Sequence, residues 1–122
     1  APVHQALAGP GCVTFSFGPR LLAYRPDAVP VPYNHATCGS AELLFYVVGD
    51  CTSRAGSGVG MGSSTLHPGG FTHGPQPGSV EKALGKAATD ETAVMIDTFA
   101  PLDLAPAIAE VDDPAYPWTW AR

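Results

Sequence analysis

Four histidines occur in the chain, His4, His35, His67 and His73, and two of them fall into a pattern with a carboxylate. His35-Ala36-Thr37-Cys38-Gly39-Ser40-Ala41-Glu42 leads into an apolar run that ends at Gly49. Later comes Pro68-Gly69-Gly70-Phe71-Thr72-His73. Imidazole nitrogen and carboxylate oxygen together suit ferrous iron, and two histidines plus one carboxylate on a single face leave coordination positions open. Open positions are what O2 and a chelating substrate need. A lone histidine is more often a surface or hydrogen-bonded residue, and a glutamate beside an apolar strand often faces solvent. The combination carries more weight than any one residue. His35, Glu42 and His73 are the expected ligands.

Elements at both ends of the chain must bring these residues together. Residues 13–17 (VTFSF) alternate and are rich in β-formers, so they read as a strand that 21–24 resumes after Gly18-Pro19. Residues 26–32 carry too many prolines for a regular element. Residues 43–48 form an apolar strand, ended by a hairpin-like turn at Gly49-Asp50. The glycine-rich stretch 56–62 lacks the Lys and Ser/Thr of a phosphate-binding loop and reads as a connection into a short strand at 63–66. Pro68-Gly69-Gly70 turns the chain again. Residues 79–84 read as a helical turn stopped by Gly85, and 93–99 (AVMIDTF) as the second strong strand. Asp103 is placed to cap a short helix through Ala109. Short strands with little helix argue for an all-β barrel or sandwich, whose mouth can gather distant segments.

Composition narrows the partners. A chain of 122 residues with 45% hydrophobic and 14% charged residues fits one globular domain, taken as residues 1–122. The net charge is −5 and the six Lys and Arg residues are scattered, so no basic stripe exists for nucleic acid. No apolar run approaches the length of about 18 residues that a membrane span needs. Ala1-Pro2-Val3 opens without a basic, then apolar, leader, so no signal peptide is expected. Three cysteines (Cys12, Cys38, Cys51) without CxxC spacing argue for small buried thiols and a reducing, cytoplasmic setting.

The two histidine segments resemble the paired cupin motifs H-x-H-x4-E-x6-G and P-x-G-x2-H. Here they read His35-x-Thr37-x4-Glu42-x6-Gly49 and Pro68-x-Gly70-x2-His73, with Thr37 in place of the second histidine. At a finer level the chain resembles the C-terminal cupin domain of homogentisate 1,2-dioxygenases, particularly the bacterial ones. The matching stretches include Pro2-Val3-His4-Gln5, Pro32-Tyr33-Asn34-His35, Leu66-His67-Pro68-Gly69-Gly70-Phe71-Thr72-His73-Gly74-Pro75 and Asp113-Pro114-Ala115-Tyr116 with Trp118 and Trp120. This resemblance implies a single cupin fold (a jelly-roll barrel with one or two short helices). It also implies an Fe(II) enzyme that opens a hydroquinone-type ring with O2. The metal would fall on His35, Glu42 and His73. His67 would orient the small aromatic substrate, and His4 would take up or bond a phenolic proton.

Two other readings stay open on the residues: a catalytically silent cupin kept for ligand binding or oligomerisation, and a zinc or nickel cupin with isomerase or hydrolase activity. In the second, Cys38 would join the metal. A barrel of this size with an aromatic tail is also expected to form a homo-oligomer, with Tyr116, Trp118 or Trp120 at or under the contact.

Overall fold

The computed structural model describes residues 3–49 and 51–121. Ala1, Pro2, Asp50 (the second residue of the expected turn) and Arg122 lie outside the described residues. The architecture is all-β, as expected. A five-stranded antiparallel sheet has the order β1-β2-β7-β4-β5, and a two-stranded ladder pairs β3 with β6. The strands are β1 (Val3–Gly9), β2 (Cys12–Phe17), β3 (Arg20–Leu21), β4 (Ala41–Val48), β5 (Ser64–His67), β6 (Ala88–Thr89) and β7 (Thr92–Thr98). A short helix α1 (Ser79–Ala83) and three 3-10 turns, Thr52–Arg54, Pro106–Glu110 and Tyr116–Ala121, complete the chain.

The central strands decide which face is inside. Side chains alternate along a strand, and residues directly opposite one another on paired strands share a face. The registers Glu42↔His67, Leu44↔Thr65, Glu42↔Asp97 and Leu44↔Met95 therefore place Glu42, Leu44, Tyr46, Thr65, His67, Met95 and Asp97 on one side. That side is the inner one. Leu44, Tyr46 and Ala93 are buried, with Phe17, Cys51, Val59 and Met95 packed on them. Phe45 and Val47, on the other side of β4, are 44% and 41% exposed. The continuous apolar run of β4 thus hides one buried and one open face. A second small cluster, Val31, Val80 and Ala83, packs α1 against the proline-rich segment.

Several expectations shift in detail. β1 was not expected, because Ala6, Leu7 and Ala8 give no clean alternation; a register shift between Gln5 and Leu7 is the reason. Residues 21–24 do not resume as a full strand, since β3 stops at Leu21. Asp103 caps nothing: the turn begins at Pro106 after Ala105, and it is 3-10 rather than α. Cys38 is exposed and Cys12 and Cys51 are half-buried, so none is the fully buried thiol expected.

Tyr46 and Arg54 fasten the sheet to the loops. Tyr46 is 1% exposed and Arg54 3%, and Arg54 Nε donates to the Tyr46 hydroxyl at 2.9 Å. The Arg54 guanidinium also donates to the Gly74 carbonyl and lies over the Trp120 ring. Tyr46→Phe removes one acceptor from a buried cation, and is expected to cost about 1–3 kcal/mol. The check is a lower urea midpoint with an unchanged m-value.

Candidate metal centre

β4 and β5 set out the first half of the site. Glu42 and His67 face each other across this antiparallel pair, and His67 Nδ1 lies 2.8 Å from Glu42 Oε1. Two loops supply the rest. After β5 the turn at Pro68-Gly69-Gly70 reverses the chain and is pinned by the Gly70 N–H donating to the Thr37 carbonyl at 2.8 Å. Gly70 has φ 84°, a conformation a side chain rarely adopts. The reversal stacks the His73 ring on His67, centroids 4.8 Å apart and planes within 3°. The loop before β4 runs alongside, and His35 and His73 exchange both backbone hydrogen bonds at 2.8 Å. Their rings meet edge to face at 4.9 Å.

The two loop histidines share one device. His73 Nδ1 bonds to the Phe71 carbonyl at 2.9 Å, and His35 Nδ1 bonds to the Tyr33 carbonyl at 3.0 Å. A carbonyl accepts only, so each Nδ1 must carry a proton, and in the neutral ring Nε2 keeps its lone pair. That is how metal-binding imidazoles are commonly prepared. Thr37, in place of the motif's second histidine, reaches His73 Nε2 only at a long 3.4 Å.

His67 differs. Its Nδ1 is engaged by Glu42 and its Nε2 meets the Tyr116 hydroxyl at 3.1 Å, so both nitrogens already have protein partners. Glu42, His67 and His73 each present a ligand atom within 4.8 Å of the others, which makes them a compact candidate set on distance alone. Distance and hydrogen bonding therefore favour different third ligands. His35 Nε2 has no hydrogen-bond partner among the described residues, whereas both nitrogens of His67 have one. Glu42 and His73 belong to both sets.

Electrostatics support a carboxylate opposite a neutral imidazole. Burial pushes the Glu42 carboxyl up, but the bond from His67 and the positive groups around it, Arg54 among them, outweigh burial and hold it below its ordinary range. Burial pushes His67 down, against the pull of Glu42. Asp97, across from Glu42 on β7, is pushed up by burial and by the neighbouring Glu42 charge. Its Oδ1 is buried without a hydrogen-bond partner among the described residues. Asp97 was missed as a site residue, although Ala93, Met95 and Asp97 alternate onto one face and an acid ending such a face was a visible signal.

A cavity of about 300 Å³ opens on this side of the sheet. Glu42 and His35 line it together with Val3, Phe17, Leu44 and Arg54. His4 does not reach it. His4 pairs with Ser16, Ser16 with Val94 and Val94 with Phe45, so His4 lies on the opposite, exposed face of the edge strand. Within this chain the one-residue alternation puts Val3, and not His4, at the cavity. Cys38 is also turned elsewhere, lining an apolar groove of about 410 Å³ with Leu66, Phe99 and Leu104. A zinc site using Cys38 loses its support. In the tail, Tyr116 and Trp120 pack on His67 within the chain, while Trp118 is 72% exposed.

Gly74 shows how tight the loop pairing is. Its φ is 95°, and a Cβ there would stand 2.8 Å from His35 Cε1. Gly74→Ala should displace the His35 ring and cost about 1–3 kcal/mol in backbone strain. Reduced metal uptake together with a lower melting temperature would bear this out.

No helix among the described residues is long and apolar enough to cross a membrane. No family model matches the chain, and no solved structure gives a significant match. Over 119 residues the chain is 40% identical to a protein of Saccharolobus solfataricus described as "Putative dioxygenase", a match that covers 96% of this chain but 30% of that protein. The chain is thus similar to one part, under a third, of a longer protein with that description.

Proposed function

We propose that this chain is a cupin-type domain that binds ferrous iron through His35, Glu42 and His73 and cleaves a small hydroquinone-like aromatic ring, homogentisate or a relative, with O2. The observation that carries the proposal is the pair of imidazoles whose Nδ1–H groups are tied to backbone carbonyls, beside the Glu42 carboxyl, which with His35 lines a cavity. Two histidines and one carboxylate with open positions are the donor set of non-haem iron oxygenases. The similarity to a relative described as a dioxygenase points the same way. Iron bound there would supply the one-electron chemistry that O2 needs to react with a closed-shell ring. The protein's part is orientation and exclusion of water. Phe17, Leu44 and Met95 give the cavity apolar walls, and its size lies near the lower end of small-molecule sites, as a single ring requires.

His67 enters this proposal differently from the expectation. With both nitrogens engaged, it acts on Glu42 rather than on the substrate. The open face of β4, with Phe45 and Val47, and the exposed Trp118 are the surfaces on which we expect a homo-oligomer to form, checked by mass in solution. The deciding experiment is anaerobic loading of the metal-free chain with Fe(II), followed by oxygen uptake on a panel of hydroquinones and catechols. We expect about one iron per chain and uptake with at least one para-dihydroxy compound. Stoichiometric iron with no uptake on any member would leave a silent metal-binding domain instead.

A further inference from the structure

The tail turn Tyr116–Ala121 lies far from the ligands in sequence, yet it closes over the site. Thr119 Oγ1 donates to the Tyr116 carbonyl at 2.7 Å and accepts from Gln76 Nε2 at 2.9 Å. Trp120 Nε1 donates to the Pro75 carbonyl at 3.3 Å. These bonds fix the tail to the segment just after His73. The Tyr116 hydroxyl then stands 3.1 Å from His67 Nε2, with the two rings roughly parallel at 6.2 Å.

The direction of the hydrogen bonds follows from elementary chemistry. A carboxylate is ionised near neutral pH and accepts only, so at the 2.8 Å contact His67 Nδ1 is the donor. A neutral imidazole protonated at Nδ1 has a lone pair at Nε2. The phenol keeps its proton near neutral pH, so Tyr116 donates to that lone pair. The chain of donors runs Tyr116 to His67 to Glu42. His67 is 4% exposed, stacked on His73 and bonded to Glu42 and Tyr116, so little solvent reaches either nitrogen.

We propose that Tyr116 is a positioning residue of the metal centre: its hydroxyl holds His67 Nε2 and so fixes the ring whose Nδ1–H ties one oxygen of Glu42, leaving the other for the cation. This rests on the metal-binding reading above. Partners of this kind behind a ligand typically matter about 10–100-fold in metal affinity.

The test is Tyr116→Phe, which keeps the ring and its stacking and removes only the hydroxyl. Nitrogen-15 spectra of the metal-free protein should show His67 protonated at Nδ1 in both proteins, with the bare Nε2 resonance moved downfield in the variant, where its hydrogen bond is lost. Fe(II) affinity, measured anaerobically, should weaken by about 10–100-fold, with the melting temperature within a few degrees of wild type. The same substitution in a His67→Ala background should have no further effect on Fe(II) affinity, because Tyr116 acts through His67. An unchanged His67 Nε2 resonance with affinity within twofold of wild type would overturn the proposal. So would an equal loss of affinity in both backgrounds. A wild type that takes up no Fe(II) would refute the metal reading itself, and the positioning proposal with it, whatever the nitrogen-15 spectra show.

Discussion

His73→Ala is expected to reduce tightly held iron from about one per chain to near zero, and to abolish oxygen uptake with it. His73 is 1% exposed, its ring contacts both other imidazoles, and it belongs to both candidate ligand sets. Its Nδ1–H bond to the Phe71 carbonyl shows that the ring is aimed, not merely buried. The companion variants resolve the third ligand. His35→Ala should behave like His73→Ala, while His67→Ala should retain much of its iron at reduced affinity and turn over at least about 10-fold more slowly. Iron per chain, measured after desalting, separates these outcomes. If His67→Ala loses all its iron and His35→Ala keeps it, the compact set of Glu42, His67 and His73 is the true centre. His4→Ala should match wild type in both iron and turnover, since His4 lies on the far face of the sheet.

Arg54→Ala is expected to cost roughly 3–5 kcal/mol of folding stability, the range found when one partner of a buried charged network is removed. Against a total of about 5–15 kcal/mol for a domain, that is a large share. Three features set the size. The side chain is almost wholly buried, it donates to both the Tyr46 hydroxyl and the Gly74 carbonyl, and it packs over Trp120. Truncation leaves those oxygens short of a donor, opens a void, and removes a positive charge that helps keep Glu42 ionised. Arg54→Lys should recover only part of the loss, because an ammonium cannot reproduce the guanidinium fork. Urea unfolding of metal-free protein measures this without interference from metal linkage. A shift worth less than about 1 kcal/mol would show that the clasp is not structural.

Much of this protein was legible in its residue order. β2, β4, β5 and β7 lie within a residue or two of where alternation and turn residues placed them, because side-chain period and glycine or proline punctuation are local properties. The segments that carry His35, Glu42 and His73 were legible for the same reason, since spacing and donor type are written along the chain. Face and register were not. The bulge in β1 and the alternation of β2 and β7 turn His4 outward, and a single-residue offset is enough to do so. From sequence His67 is expected to orient the substrate; tertiary structure supplies Glu42 on one nitrogen and Tyr116, 49 residues away, on the other. Arg54, Asp97 and Tyr116 acquire roles at the site through burial and contact alone. Those properties exist once the sheet, the two loops and the tail have packed together, because hydrogen-bond partners far apart in sequence are chosen by the fold and not by local spacing.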